Sequence, residues 1–455
     1  SIIVLNVCNS NRTDVVSSKI SFPNGTKEFH IVDIEGKKVK HQVISARHDE
    51  NGLMREAEII FTAHLPSVGY TTYNIAEGCE RTEQVGESLK VSNDLLENRF
   101  YRIRLEGGLM KSVVDKESGR ELLETDNVLG NELLADVGEE VAELHFKPNG
   151  TMRFKPESVK IVEKGPVRGC LRARGYIGKS PVSQEILIYD EIPRIDLKIE
   201  LDCSEKNMRY RVAFPLKLSL KKSVAVRDIH FGAEETDLSK EPLYGVEREG
   251  YSLGLFSRTV GSTTGPCTVC WADEWAALTD NASGMCLINT GHPGYVIEGN
   301  TISNILLQSL DEKNQNQFKI ISDISGVGKH EFKYAIYFFS SNWRNAHLAQ
   351  RAREYLHPLI SAVKTDEGVK RLPRTLAFLK TSPENLVMTA LYLDDEDILL
   401  RFYECAGKAG LMNIEHFIQP RTVCSTDLLK NAIKKGKDRE VKPYEIVTLE
   451  HRFAH

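Results

Sequence analysis

Alternation of apolar and polar residues is the dominant pattern along this chain. In Phe100–Leu105, three apolar residues occupy one face of an extended segment and two arginines occupy the other. A period of two residues is typical of a half-buried strand. Gly107 and Gly108 interrupt the pattern with turn residues, and Leu109–Val114 resumes it. After a second turn, Arg120–Leu123 begins another strand. The stretch therefore predicts successive antiparallel strands.

Similar patterns predict strands from one end of the chain to the other. In the N-terminal region they are Ile2–Leu5, Lys19–Phe22, Glu28–Asp33, Lys40–Ile44, Glu56–Ala63 and Gly69–Ile75. In the middle they include Arg194–Asp202, Asn207–Phe214, Gly284–Asn289, Thr301–Leu310 and His330–Phe339. The last region predicts Thr375–Lys380, Val387–Leu393, Ile398–Glu404, Ile414–Phe417 and Tyr444–Leu449, while Asp427–Ile433 fits either a short helix or a strand edge. The chain is therefore expected to be all-β.

One segment, Asn342–His357, has the spacing of a helix instead. Ser341 or Asn342 can cap its first turn, and Pro358 ends it. Its apolar residues recur three or four positions apart, so Trp343 is expected to pack in the core.

Two polar segments, Glu77–Ser88 and Thr365–Pro373, are typical of linkers. They divide the chain into a small β-sandwich over residues 1–88, a large sandwich with a terminal helix over residues 89–362, and a C-terminal β-domain over residues 366–455. About 250 residues of antiparallel pattern in the middle region favour one large two-sheet sandwich.

Composition narrows the possible functions. The 455 residues carry a net charge of −5 with no clustered Lys/Arg face, so no nucleic-acid partner is expected. No apolar run approaches the ~18 residues of a membrane span. Nine scattered cysteines favour reduced thiols and a cytoplasmic location. Because the chain starts with Ser1 rather than methionine, we expect it to be a processed or truncated piece of something longer.

A search for known catalytic motifs assigns no function to this sequence. We find no serine-hydrolase elbow, P-loop, dinucleotide fingerprint or His-Glu-x-x-His sequence. Two segments combine aromatic rings with polar groups in a way that suits sugar binding, and they supply the candidate substrate-binding residues Trp271, Asp273, Trp275, His292 and Tyr295. The structural alternative is a core strand with an acidic edge and an ordinary turn. It is favoured by how often large aromatic side chains are buried.

A series of short stretches occurs in order along nearly the whole chain. They are Asn6, Arg12–Val16, Leu96–Ile103, Gly108–Leu109, Val114–Leu123, Gly130–Leu133, Arg194–Asp196, Val212–Pro215, Tyr244–Glu249, Trp271–Asp273, Gly294–Leu310, His330–Tyr337 and Lys442–Ile446. Each is weakly specific alone. Taken together and in this order, they resemble the C-terminal β-region of glycoside hydrolase family 38 α-mannosidases.

This resemblance implies a galactose-mutarotase-like supersandwich flanked by smaller β-sandwich domains. It also implies a parent protein that is a retaining α-mannosidase, whose catalytic zinc and nucleophilic aspartate lie in an N-terminal β/α barrel. The barrel motifs, His-x-Asp and His-His-Asp, do not occur in this sequence. We therefore expect no catalytic residue and no metal or other cofactor in this chain. Its expected role is to brace the barrel and wall its cleft, and the chain alone should be inactive.

The partners implied are the parent's own barrel, mannose-containing oligosaccharides reached through the parent, and a second copy in a homo-oligomer. Two other functions stay open. An independent carbohydrate-binding module would expose Trp271 and Trp275 on one face. A mutarotase-like sugar enzyme would need a histidine paired with a carboxylate, and the sequence shows no such motif around His145, His230, His292 or His330.

Overall fold

The protein is built almost entirely from β-strands, which confirms the predicted fold class. The computed structural model describes residues 1–78, 89–141, 145–219, 222–238, 267–310, 325–364, 372–395, 397–429, 431–435 and 439–453. Most of both predicted linkers, and all of Tyr244–Glu249, lie outside these residues. Among the described helices, none combines the length and the apolar character needed to cross a bilayer.

The first strands of the chain form an N-terminal sandwich. They are β1 (Ile2–Asn6), β2 (Arg12–Thr26), β3 (Phe29–Val32), β4 (Lys38–Val39), β5 (His41–His48), β6 (Met54–Leu65) and β7 (Gly69–Glu77). One sheet has the order β2-β6-β5, and the other contains β1, β7, β3 and β4. Side chains from both sheets, such as Val4 and Phe61, share one buried core. Each sheet buries one face against the other sheet, which explains why apolar and polar residues alternate along the strands of this region.

The large sandwich follows, with three described sheets. Its strands are β8 (Lys90–Val91), β9 (Leu95–Glu97), β10 (Tyr101–Glu106), β11 (Leu109–Asp115), β12 (Glu132–Val141), β13 (His145–Arg153), β14 (Lys155–Lys164), β15 (Arg168–Ile177), β16 (Ser180–Tyr189), β17 (Arg194–Cys203), β18 (Met208–Pro215), β19 (Val224–Ile229), β20 (Gly232–Asp237), β21 (Cys267–Trp271), β22 (Trp275–Thr279), β23 (Gly284–Asn289), β24 (Gly294–Glu298), β25 (Thr301–Ser309) and β26 (Gly328–Phe339). The two larger sheets have the orders β14-β15-β16-β17-β26-β23-β22-β19-β20 and β13-β12-β18-β25-β24-β21, and the small one has the order β11-β10-β9-β8.

All three sheets contribute to one hydrophobic core. Leu96 and Ile103 come from the small sheet, Val212 from the second and Leu197 from the first. Strand β17 shows how the sequence produces this arrangement, because every second residue is buried along its whole length. It pairs with β26 from Arg194 opposite Tyr337 to Cys203 opposite Gly328. The predicted large sandwich is thus present.

The β10–β11 hairpin matches its prediction closely. Its apolar residues are buried and its arginines exposed. Gly107 and Gly108 form the turn with φ values of 59° and 81°, a region that other residues resist. A Cβ on Gly108 would lie 2.5 Å from the Cβ of Ala173 on β15, so glycine is also required by close packing.

The predicted continuous helix over Asn342–His357 is wrong in its first half. A 3₁₀ turn at Trp343–Asn345 precedes the α-helix α1 (Leu348–Leu356). The Asn342 side chain caps the 3₁₀ turn by accepting a hydrogen bond from the backbone N–H of Arg344 at 3.0 Å. His347 then adopts a left-handed conformation with φ 53°, which interrupts the helical hydrogen-bond series. Trp343 is buried, as predicted.

Strands that follow α1 return to the N-terminal sandwich. Strand β27 (Ile360–Val363) pairs with β1, and β28 (Thr375–Ala377) pairs with β7. The described order of that sheet is therefore β27-β1-β7-β3-β4, with β28 also on β7. The domain bounds at residues 362 and 366 stay a prediction. The strands on either side of them, β27 and β28, both belong to the N-terminal sheet that contains β1 and β7.

A second small sandwich ends the chain. Its strands are β29 (Leu379–Ser382), β30 (Leu386–Asp394), β31 (Asp397–Glu404), β32 (Gly410–His416), β33 (Thr422–Thr426), β34 (Ala432–Lys435), β35 (Arg439–Val441) and β36 (Ile446–Arg452). The described sheets have the orders β29-β32-β35 and β30-β31-β36-β33-β34. In the undecided segment Asp427–Ile433, the Asp427 side chain accepts hydrogen bonds from the backbone N–H groups of Leu429 and Asn431, and β34 begins at Ala432.

A buried ionic network joins the N-terminal sandwich, the large sandwich and α1. The side chain of Arg12 is fully buried and contacts Asp14 at 2.5 Å. It also donates to the backbone carbonyls of Glu354 and His357, at the end of α1, at 2.9 and 2.7 Å. Arg194 reaches Asp14 from β17 at 3.2 Å. Burial opposes the charge on Asp14, but Arg194 and Arg12 outweigh it and hold the pKa of Asp14 below its usual value.

Candidate functional site

The candidate residues lie in two loops, or in the strands next to them, at one end of the large sandwich. Loop 272–274 joins β21 to β22, and loop 290–293 joins β23 to β24. The β19–β20 hairpin, which turns at His230 and Phe231, lies beside the first loop. We call these three connections the candidate site. Strand pairing between β22 and β23, and between β21 and β24, brings them together.

A buried carboxylate shapes the first loop. Asp228, at the end of β19, is only 4% exposed. Its Oδ1 accepts hydrogen bonds from the backbone N–H groups of Glu274 at 2.9 Å and Trp275 at 3.2 Å. Burial raises the pKa of Asp228 to about 7, although these two N–H groups act to lower it. The loop is therefore held by a carboxyl group whose charge changes near neutral pH.

The exposed edge of the site consists of a histidine, a carboxylate and an indole. His230 Nδ1 lies 2.5 Å from Asp273 Oδ2, and the exposed fractions of the two side chains are 77% and 22%. The His230 ring meets the ring of Trp271 edge to face at 5.5 Å. Burial raises the pKa of Asp273, whereas His230 acts in the opposite direction. The site thus presents hydrogen-bonding groups next to an aromatic ring.

Asn289 links the two loops. Its Nδ2 donates to the backbone carbonyl of Asp273 at 3.2 Å and to the hydroxyl of Tyr295 at 2.9 Å. Its Oδ1 accepts from the backbone N–H groups of Gly291 and His292 at 2.8 and 2.9 Å. One amide side chain therefore fixes the position of both candidate segments.

Two of the five candidate residues are fully buried in the described chain. Trp275 is 1% exposed and packs against Trp343, with the ring centroids 6.2 Å apart. Tyr295 is inaccessible, and its burial raises the pKa of its hydroxyl well above the usual value. An exposed face shared by Trp271 and Trp275, which an independent sugar-binding module would need, is thus not present. A role of the five residues in substrate binding stays a prediction.

His292 is less buried than Trp275 and Tyr295. It is half-buried, its ring contacts Phe332 edge to face at 5.0 Å, and burial lowers its pKa. Its backbone carbonyl accepts a hydrogen bond from Asn304 Nδ2 at 2.7 Å. The structure therefore places Trp271 and Asp273 together at the surface, with His292 on the neighbouring loop.

Sequence reasoning missed three residues of the site. Asp228 and His230 lie two positions apart at the end of a strand, and that spacing was the available signal. The sequence shows no paired motif around His230, yet the fold brings its ring to the carboxylate of Asp273. Asn289 could not be found, since its role depends on contacts between separate loops.

No group of three His, Cys, Asp or Glu side chains within the described ranges is arranged to hold a metal ion. The zinc implied by the resemblance therefore has no fitting ligand set in the part of the chain that the structure describes. Consequently, no metal-dependent step is assigned to these residues.

Comparison with known proteins identifies two family regions in this chain. Residues 96–315 match the model of the glycosyl hydrolases family 38 C-terminal domain. Residues 385–449 match that of the glycosyl hydrolases family 38 C-terminal beta sandwich domain. The first region contains the candidate site, and the second contains most of the C-terminal sandwich.

Two curated relatives carry the name α-mannosidase. Alpha-mannosidase G of Dictyostelium discoideum is 24% identical over 430 residues, which cover 85% of this chain and 36% of that protein. Human Alpha-mannosidase 2C1 is 23% identical over 379 residues, covering 78% of this chain and 33% of that protein. The chain therefore spans about a third of the length of the curated relatives it matches.

Solved structures show the same fold. An alpha-mannosidase from Enterococcus faecalis V583 superposes with a TM-score of 0.76 at 14% identity, covering 99% of this chain and 56% of that one. A family 38 glycosyl hydrolase from Enterococcus faecalis gives a TM-score of 0.75 at 14% identity, with 58% of its chain covered. The chain belongs to glycosyl hydrolase family 38 and corresponds to the C-terminal β-region of its α-mannosidases.

Proposed function

We propose that this chain is the non-catalytic C-terminal part of a retaining α-mannosidase, in which it braces an N-terminal catalytic barrel. The observation that carries the proposal is the unequal coverage of the relatives. They match most of this chain, yet the chain spans only about a third of their length. The parent's catalytic zinc and nucleophile would belong to the part of the protein that precedes this region.

The ionic network around Arg12 supports the bracing role. It joins two sandwiches to the end of α1 through charged contacts that are shielded from water. Such contacts hold neighbouring domains at a fixed angle, because separating them would leave buried charges unpaired. A rigid β-region of this kind can position loops against a catalytic cleft.

The candidate site is the surface that we propose for the cleft wall. Trp271 and Asp273 would face a mannose-containing oligosaccharide, since a ring face and a hydrogen-bond acceptor match the two sides of a sugar. The buried Trp275 and Tyr295 would support them from behind, and His292 would fix the second loop. His230 would orient the Asp273 carboxylate.

We also propose a cytoplasmic protein that assembles with its own barrel and forms a homo-oligomer. Seven of the cysteines lie in described positions as free thiols, among them Cys8, Cys203 and Cys405. Unpaired thiols are usual in reducing compartments. Subcellular fractionation of the complete protein would test its location, and light scattering would test its oligomeric state.

The central proposal is tested by activity. The 455-residue chain with added zinc should show no turnover of an aryl α-mannoside, because the proposed nucleophile and metal ligands lie elsewhere. The complete reading frame, purified in the same way, should hydrolyse the same compound and serves as the positive control. Appreciable turnover by the 455-residue chain alone would overturn the proposal.

A further inference from the structure

A cleft of about 370 Å³ opens where the N-terminal sandwich, α1 and the C-terminal sandwich meet. We call it the junction cleft. Its lining includes Leu5–Ser10 at the end of β1, Arg353 of α1, His357 just after α1, and Val387–Leu391 of β30. The volume is within the range of small-molecule sites in proteins, roughly 300–1,000 Å³. The junction cleft therefore has room for one small ligand.

Apolar side chains form much of the lining, and several of them are exposed. Val7 is 43% exposed, Phe378 is 40% exposed and Leu391 is 45% exposed. Exposed apolar side chains gathered around a concave surface are typical of a binding groove. Covering them with an apolar ligand would remove them from water, which is favourable.

Two basic side chains of the lining have capacity for further hydrogen bonds. Arg353 is 23% exposed, and its Nη1 donates to Glu274 Oε1 at 2.6 Å. Its Nε and Nη2 have no acceptor among the described residues, and neither is a buried donor without a partner, so both remain accessible to a ligand. His357 is half-buried, and its ring makes no hydrogen bond within the described part of the chain. An acceptor group on a ligand could therefore bind to either residue.

The other polar side chains of the lining already have partners within the chain. They are Asn6, Cys8, Asn9, Ser10, Gln350 and Thr389. The free hydrogen-bonding capacity of the junction cleft is thus concentrated at Arg353 and His357. A ligand that fits the cleft has one polar group and an apolar remainder.

The polar end of the junction cleft is electropositive. None of the residues described as lining it is an aspartate or a glutamate. Burial lowers the pKa of His357, and the charges of Arg353 and Arg12 lower it further. Glu274, the ion-pair partner of Arg353, acts in the opposite direction but has a smaller effect than Arg353 alone. A negatively charged group is therefore favoured at this end over a neutral one.

We propose that the junction cleft binds a free carboxylic acid with an apolar tail, of the size of a medium-chain fatty acid. The carboxylate accepts hydrogen bonds from Arg353 and from a ring N–H of His357. The tail lies against Val7, Phe378 and Leu391. The inference goes beyond the proposed function, because it needs neither a barrel nor hydrolysis.

A ligand-observed NMR titration tests this inference on the 455-residue chain and on the complete protein, with octanoate, octanamide and butanoate as probes. Octanoate should bind to both proteins. Octanamide lacks the charge of the carboxylate, and butanoate lacks four methylene groups of the tail. Each should therefore bind at least tenfold more weakly than octanoate.

Two variants separate the polar end from the apolar lining. Arg353→Met should weaken octanoate binding about tenfold or more and leave octanamide binding unchanged, since it removes a charged donor. Phe378→Ala should weaken the binding of both ligands, because it removes part of the apolar lining. Arg172→Met is the matched control and should change neither affinity, because that arginine is 33% exposed and pairs with Glu185 on the large sandwich.

Thermal unfolding of each variant establishes that it is folded. Equal affinities for octanoate and octanamide, absence of octanoate binding to the 455-residue chain, or an unchanged octanoate affinity in folded Arg353→Met or Phe378→Ala would each overturn the inference. Octanoate binding that is lost in the complete protein would mean that the barrel occupies the cleft, and would also overturn it. Because the readout is binding rather than turnover, a failure here is distinct from a failure of the proposed function.

Discussion

Replacing Asp228 by asparagine should change how the stability of the large sandwich depends on pH. Asparagine keeps an oxygen that can accept from the backbone N–H groups of Glu274 and Trp275, which lie 2.9 and 3.2 Å from the aspartate oxygen. It removes only the ability to ionise. The substitution therefore separates the charge of Asp228 from its role in shaping the loop.

The sign follows from the raised pKa. In the unfolded chain an aspartate titrates near pH ~3.9, whereas in the folded protein burial raises the pKa of Asp228 to about 7. Between these values the folded state holds a proton that the unfolded state has released, so the free energy of unfolding falls as pH rises. At 1.36 kcal/mol per pKa unit, the loss reaches roughly 4 kcal/mol above pH ~7. Asp228→Asn abolishes this loss.

Urea unfolding followed by tryptophan fluorescence measures the effect between pH 5 and 8. Trp271, Trp275 and Trp343 are the three tryptophans of the chain and all lie near this loop, so the signal reports the relevant region. The difference between wild type and Asp228→Asn should move steadily in favour of the variant as pH rises. A difference that stays constant within about 1 kcal/mol would mean that Asp228 is ionised throughout, and would refute the reasoning.

Asp280→Asn is the matched control, because Asp280 also accepts backbone N–H groups, from Ala282 and Ser283 at 3.1 and 3.0 Å. Burial opposes its charge, but these bonds outweigh burial and lower its pKa. Its contribution is therefore complete above the unfolded pKa and is lost as pH falls through the folded value. Between pH 5 and 8 the difference between wild type and Asp280→Asn should be flat.

Two further substitutions test packing and the domain junction. Arg12→Met should lower the free energy of unfolding by about 3–5 kcal/mol, because it leaves Asp14 with Arg194 alone and two carbonyls at the end of α1 without their donor. Urea unfolding measures this loss, with Arg102→Met at an exposed arginine as the control. A loss below about 1 kcal/mol would contradict the prediction. Gly108→Ala should destabilise by about 2–4 kcal/mol, since the new Cβ meets Ala173 in a left-handed turn. Gly119→Ala, also left-handed but with open space around it, should cost only about 1–2 kcal/mol, and equal losses for the two variants would exclude the packing argument.

The sequence predicted individual strands well where one face is buried. Strand β17, in which every second residue is buried, extends its prediction by a single residue. Periodicity succeeds there because it reports which residues of one strand face the core. It does not report which strand lies alongside, so the pairing of β1 with β27 could not be predicted. Periodicity also could not predict the interruption of the helix at His347, because the left-handed backbone conformation of that residue is determined by its surroundings.

The candidate site was predicted only in part, for the same physical reason. Aromatic and acidic residues marked loop 272–274, but the burial of Trp275 depends on Trp343, which lies far along the chain. The His230–Asp273 contact joins a hairpin to a loop from another part of the sheet. Local composition thus identified loop 272–274. Only the fold shows which of the candidate residues are exposed and which support them from within the core.

The return of β27 to β1 has a consequence for protein synthesis. Ser1 and Lys364, which bond at the end of this pair, are separated by 363 positions along the chain. At translation rates of about 5–20 residues per second, roughly 20–70 s pass between the emergence of the two strands. During that time β1 is an edge strand without its partner β27 and can pair with other nascent chains. Within this chain, the N-terminal sandwich is therefore synthesised before the large sandwich but gains its last strands only after it.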